Sequence, residues 1–160
     1  MLLTKRFALA TTVCAMLALP AGAIAKDKPA PVPPDWQSAA QTDNQQAFID
    51  LNSIAPAGAN LSAVVRYEYV SPQPWKKDKT FSSVWARLRV DCGQRRIADS
   101  EIRAYASPGL QGDVVRKATS KDKNLIWRDA ARRTVDGEVL DHVCKIGPKA
   151  APAASTPPGG

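Results

Sequence analysis

The 160-residue chain contains one histidine, His142, so any histidine-dependent acid–base scheme has a single candidate. It falls four residues after Glu138 on the outward side of a short C-terminal helical pattern, the spacing of a surface pair rather than a catalytic one. No serine lies in a nucleophile elbow, and no two acidic residues show the spacing that identifies a carboxylate pair. There is no Gly-rich phosphate loop and no cluster of metal ligands. These absences argue against an enzyme, and neither a cofactor nor a metal is expected. Beyond the first 25 residues no long apolar run exists, so that part of the chain is expected to be soluble or peripherally bound, without a transmembrane segment.

Cysteine is scarce as well: the chain has three. The first lies in an N-terminal stretch that reads as a secretory signal over residues 1–25. Lys5 and Arg6 charge its start, Phe7 to Leu19 form the apolar middle, Pro20 breaks it, and Ala23-Ile24-Ala25 offers a cleavage site. Cys14 sits in mid-core behind Thr11-Thr12-Val13, away from any lipoprotein boundary, and no lipid anchor is expected. Removing the signal leaves Cys92 and Cys144. An even count in an exported chain predicts one disulfide. The loop it closes is long enough for a chain-entropy stabilisation of about 4 kcal/mol.

Residues 26–35 form a Pro-rich linker and residues 147–160 a Pro/Ala/Gly tail, both too poor in apolar residues to order themselves. Residues 36–146 make one small domain. The 22 basic residues less Lys5 and Arg6, set against 15 acidic ones, leave a net charge of +5 after the signal is removed. A basic exported protein favours anionic partners such as lipopolysaccharide, acidic glycans or acidic protein patches. No nucleic acid is expected among them.

The clearest pattern runs from Thr80 to Cys92. Ser82, Val84, Ala86, Leu88, Val90 and Cys92 alternate with Ser83, Trp85, Arg87, Arg89 and Asp91, the period of a strand with one buried face. Leu61 to Val70 alternates in the same way. Gln46 to Leu51 reads as a first strand closed by Asn52-Ser53, Pro56 to Asn60 as a turn cluster, and Ser71 to Thr80 as a polar loop. Arg96 to Ala106 should pair antiparallel with the central strand, with Ala98, Ser100, Ile102 and Ala104 on its core face and Asp99, Glu101, Arg103 and Tyr105 outward. Asp113 to Ala118 is one more strand, and Leu125-Ile126-Trp127 should pack under the sheet. Arg128 to Arg133 fits neither period. A final helix, capped by Asp136 and ended by Gly147-Pro148, turns Leu140, Val143 and Cys144 to the core with Val139 on its flank. The fold expected is α+β: a single antiparallel sheet of five to six strands, with the C-terminal helix on one face, tied by one disulfide.

Two candidate partner sites follow. Trp75, Lys76, Lys77 and Lys79 put an aromatic ring among three cations on a loop, a composition suited to an anionic surface and equally to a solvated loop. Trp85, Arg87, Arg89 and Tyr105 lie on the outward sheet face among Arg66, Glu68, Asp91, Asp99, Glu101 and Arg103. That face reads either as paired surface charge or as a platform for a protein or a second copy of the domain.

Phe48-Ile49-Asp50 with Ser53-Ile54, the long paired strands, Val90-Asp91-Cys92, Ala104-Tyr105 followed by Gly112 and Val114-Val115, Trp127, and the closing Val143-Cys144 resemble the surface-adhesin protein E-like family. The resemblance covers Trp36 to Lys145. It implies a small antiparallel sheet curved over a C-terminal helix that a disulfide ties to the concave side. It also implies a non-enzymatic protein of the bacterial envelope, exported to the periplasm ahead of the cell surface or medium, in some members an adhesin for host matrix or plasma proteins and in some a homodimer. The helix start here, Thr134-Val135-Asp136-Gly137, departs from a Pro-Gly type. The function expected is an exported binding module. An envelope-maintenance protein without a dedicated ligand and an enzyme inhibitor are the competing classes.

Overall fold

The computed structural model describes residues 32–147. The expected signal, Cys14, most of the linker and nearly all of the tail lie outside them. Seven strands form one antiparallel sheet: β1 (Trp36–Gln41), β2 (Gln45–Ala57), β3 (Asn60–Pro74), β4 (Thr80–Asp91), β5 (Arg96–Ser107), β6 (Gln111–Thr119) and β7 (Trp127–Asp129). The first six lie in sequence order, and β7 pairs with the start of β5. Helix α1 (Val135–Ile146) follows.

Two long strands at the centre carry the core row that their alternation predicts, although Ser62 and Val64 on the other face of β3 are buried as well. Leu61, Ala63, Val65 and Tyr67 of β3 sit opposite Val90, Leu88, Ala86 and Val84 of β4. This row joins Ala47, Ile49 and Ile97 in a core closed by Val139, Leu140 and Val143 of α1. Each of these three helix residues is essentially inaccessible, and burying each stabilises the packed helix by about 2 kcal/mol relative to exposure. A 12-residue helix needs that contribution, being marginal alone.

Several boundaries move. The strand expected first is second, because Trp36–Gln41 pairs along Gln46–Asp50 despite its polar composition. Nor does β2 stop at Asn52-Ser53. The register shifts after Asp50 and resumes at Ala55, and Ser53 bridges the gap by donating to the Asp50 carbonyl at 2.6 Å while accepting from Val64 N–H at 2.7 Å. A side chain thus replaces a ladder bond and the strand continues. The turn contracts to Gly58-Ala59, with Gly58 at φ 66°. Similarly, β3 reaches Pro74, so the expected ten-residue loop shrinks to the tip Trp75–Lys79.

A bulge at Ser100 inverts part of β5. Arg87 faces Glu101 but Leu88 faces Asp99, and the extra Ser100 donates to the Arg87 carbonyl at 2.9 Å. Ile97 and Asp99 therefore share the helix side of the sheet while Ala98 turns outward, the reverse of simple alternation. Ser83, expected outward in solvent, is wholly buried. It donates to the Ser107 carbonyl at 2.7 Å and accepts from Leu110 N–H at 3.0 Å, latching the turn Pro108–Leu110 to β4.

The closing segment differs too. Ile126 is exposed, and Trp127 lies under Arg96 on the face away from the helix rather than under the sheet. The Arg128–Arg133 stretch is partly β7 and partly the approach to α1. Thr134, not Asp136, caps the helix, its hydroxyl accepting from Gly137 N–H at 3.1 Å. Gly147 ends it at φ 65°, donating to the Val143 carbonyl. Cys92, just past β4, is exposed and bonds to half-buried Cys144 across a sequence separation of 52 residues. The disulfide thus clips the helix end to the sheet rim instead of continuing the core face.

Candidate functional site

Of the eight expected contact residues, the structure divides four from four. At the β3–β4 tip, Trp75 N–H donates to the Lys79 carbonyl at 2.8 Å and Lys79 N–H to Lys76 at 3.1 Å, closing a tight turn in which Lys77 takes a positive φ of 51°. Lys76, Lys77 and Lys79 are exposed; Trp75 is half-buried. The ring is held by a residue far away in the chain, Arg116 of β6, whose guanidinium carbon lies 4.4 Å from the ring centroid, while Lys76 Nζ lies at 5.5 Å. Register places Arg116 opposite Ala104, hence on the helix side of the sheet. The tip therefore curls over β5, the strand between β4 and β6. Between it and β6 lies a hollow of about 700 Å³ lined by Trp75, Lys76, Lys77, Asp78, Lys79 and Val115.

Trp85, Arg87, Arg89 and Tyr105 occupy the opposite, convex face. One cross-strand row runs Phe48, Arg66, Trp85, Arg103, Lys117 over β2 to β6. Arg66 stacks on Phe48 at 4.5 Å and on Trp36 at 5.1 Å, and Trp85 lies between Arg103 at 5.0 Å and Arg87 at 5.4 Å. Much of the charge is neutralised locally. Arg66 meets Glu68, Arg103 meets Glu101, Arg89 meets Asp122 and Arg96 meets Asp91. The Glu101 hydrogen bond holds the Arg103 pKa above its usual range. Among the described residues Arg87 has the Trp85 ring and no carboxylate partner. The paired-charge reading accounts for most of this face.

A third grouping was not visible in the sequence. Below the tip, a cleft of about 540 Å³ runs between β3–β5 and the start of α1, with Tyr69, Phe81 and Ile102 among its walls. Arg128 bridges Asp99 at 2.9 Å and Asp136 at 2.7 Å, and Tyr67 Oη donates to Asp136 at 3.4 Å. Only the Ser100 bulge brings Asp99 to this side, so alternation concealed the cluster. Partial burial works against the Arg128 charge, but the hydrogen bonds and fields of Asp136 and Asp99 outweigh it and raise its pKa. Burial, reinforced by the Asp136 charge, pushes the Tyr67 hydroxyl well above its ordinary pKa.

The cluster is a mutually satisfied ion-pair network with a testable alkaline signature. A phenol kept neutral in the fold stabilises fully below the unfolded tyrosine pKa of about 10, and that contribution fades as pH rises towards the folded value. Urea midpoints from pH 8 to 11 should fall more steeply for the wild type than for Tyr67→Phe. Equal slopes would contradict the assignment.

His142 is half-buried, with Nε2 3.4 Å from Gln37 Oε1 of β1. No group of three or more His, Cys, Asp or Glu residues that could hold a metal occurs among the described residues. No helix there is long and apolar enough to cross a membrane.

Residues 36–145 match the family model described as surface-adhesin protein E. Haemophilus influenzae protein E superposes with a TM-score of 0.50 at 15% identity, over 78% of this chain and 94% of that one. A second crystal form of the same protein gives 0.49 at 17% identity, over 76% and 95%. No curated protein matches significantly. At such identity the structural likeness speaks for the fold alone, whereas the family model spans well over half of the sequence. The chain belongs to the surface-adhesin protein E family.

Proposed function

We propose that the chain is an exported, non-enzymatic surface adhesin whose partner, a protein or an anionic glycan, is engaged at the β3–β4 tip. Membership of the adhesin family supports the class of function. The observation that carries the site is the pinned ring: Arg116 orders Trp75 at the end of the sheet, and three exposed lysines surround it. A stacked aromatic with exposed cations combines a fixed contact area with long-range attraction to negative surfaces. The convex row is less suited to this task, since carboxylates already occupy most of its guanidinium groups.

Binding of the full chain to extracellular-matrix proteins, plasma proteins, heparin and lipopolysaccharide across a salt series tests the reading. Exposed charges are screened over about 8 Å at physiological ionic strength, so non-specific attraction fades there. Saturable binding to one partner should survive and weaken at least tenfold in a Lys76→Ala, Lys77→Ala, Lys79→Ala variant, which leaves the Trp75–Arg116 stack in place. Uniform attraction to every polyanion that vanishes with salt, or no binding, would favour an envelope-maintenance role.

A further inference from the structure

Strand β6 is an open edge. It pairs with β5 on one side, and among the described residues no hydrogen bond joins its other side to any element. All nine of its residues are exposed or half-exposed, and Val114 keeps half its surface in solvent. Such an edge presents a row of backbone donors and acceptors to any extended chain of suitable side chains.

What surrounds the edge selects the guest. Arg116 and Lys117 lie on the strand, Lys121 and Lys123 just beyond it, and Lys76, Lys77 and Lys79 across the hollow; the acids nearby are Asp78 and Asp113, together with Asp122, Glu101 and Asp99, which are bound to Arg89, Arg103 and Arg128. A bulge at Val115 turns this valine into the Trp75-lined hollow, while register sends Lys117 to the convex face opposite Arg103. A guest strand alternates its side chains between those two sides. Apolar residues would meet Val115 and Trp75, and carboxylates would meet Lys117. Two copies of β6 oppose like charges when parallel and in register, whereas the antiparallel register centred on Val115 sets Asp113 against Lys117, so a second copy is the competing guest that the experiment must separate. The other edge lacks this logic: β1 is uncharged from Trp36 to Gln41 and shorter.

We propose that β6 is a strand-addition site for an extended acidic segment of a partner protein, one that alternates carboxylate and apolar side chains. This rests on the binding-module reading above and names the form of its ligand. The guest supplies backbone hydrogen bonds for affinity, and the Trp75 hollow with its lysines supplies selection.

The probe is a blocked twelve-residue peptide of alternating glutamate and valine, titrated into the full chain with amide hydrogen exchange as readout. Expected are saturable binding, at least tenfold slower exchange within residues 111–119, at least tenfold weaker binding to Lys117→Glu, and no binding by the same peptide N-methylated on alternate residues. A lysine–valine peptide should not bind. No saturable binding up to millimolar peptide, equal binding of the N-methylated form, or binding without protection of β6 would overturn the proposal. So would protection of β6 that rises with protein concentration alone, which would assign the edge to a second copy. If the peptide fails while a matrix protein still binds through the lysine tip, the edge proposal falls and the adhesin reading stands.

Discussion

Replacing Cys92 and Cys144 together by serine is expected to lower the unfolding free energy by about 4 kcal/mol, the loop-closure entropy of a cross-link over some fifty residues. The exposed Cys92 and half-buried Cys144 leave little cavity when their sulfur is exchanged for oxygen. Nearly all of the loss should therefore come from the freed unfolded chain, and it should appear as faster unfolding if the rim contact forms late in folding. For a domain of this size the shift corresponds to a fall in Tm of roughly 15–25 °C. The first part to loosen is the end of α1, whose Val143 is seated against the sheet one residue before the bond. Denaturant melts of the oxidised wild type, the reduced wild type and the double serine variant measure this. The latter two should coincide, and a change under 1 kcal/mol would contradict the staple's role.

Gly137→Ala separates packing from propensity, because the two predict opposite signs. By helix propensity alone, alanine in the first turn should stabilise by up to about 1 kcal/mol. A Cβ at this position, however, would lie 2.0 Å from the Ala131 carbonyl oxygen, a full ångström inside any tolerated approach. That oxygen cannot yield easily, since it accepts from the Thr134 hydroxyl at 2.7 Å, and the same hydroxyl accepts from Gly137 N–H to cap the helix. Relieving the clash dislodges the cap and tilts the start of α1 away from Asp136 and Arg128. Overpacking and cap loss together give a destabilisation of roughly 3 kcal/mol. The neighbouring exposed Glu138→Ala should stay within about 0.5 kcal/mol. Thermal melts of the three proteins decide it, and a stabilised Gly137→Ala would contradict the close approach of the Ala131 carbonyl to Gly137.

How far the chain could be read in advance depended on where pairing is regular. From Val84 to Asp91 of β4 burial follows period two, so Leu88 and Val90 announce their burial, and Val65 does so opposite Ala86. In β5 one inserted residue, Ser100, reverses Ile97, Ala98 and Asp99, and local alternation carries no sign of it. Strand β1 was invisible for another reason: Trp36-Gln37-Ser38-Ala39-Ala40-Gln41 has neither β-branched residues nor alternation, and it is a strand because β2 offers it an edge. The C-terminal helix and its cysteine partner were legible because amphipathic spacing and the cysteine count are both local facts. The candidate site was half legible. Trp75 with its lysines stands out in sequence, but the Arg116 stack that orders the ring joins residues 41 positions apart and depends on the sheet's curl.

The claim on which the functional account turns is that partners meet the tip and the β6 edge rather than the convex arginine row. Its most direct test is a hydrogen-exchange footprint of the full chain saturated with whichever matrix protein, plasma protein or glycan it binds at physiological salt. The account predicts slowed exchange in residues 75–79 and 111–119, with little change around Trp85, Arg87 and Arg103. A footprint centred on those convex residues, with the tip and edge unaltered, would contradict it.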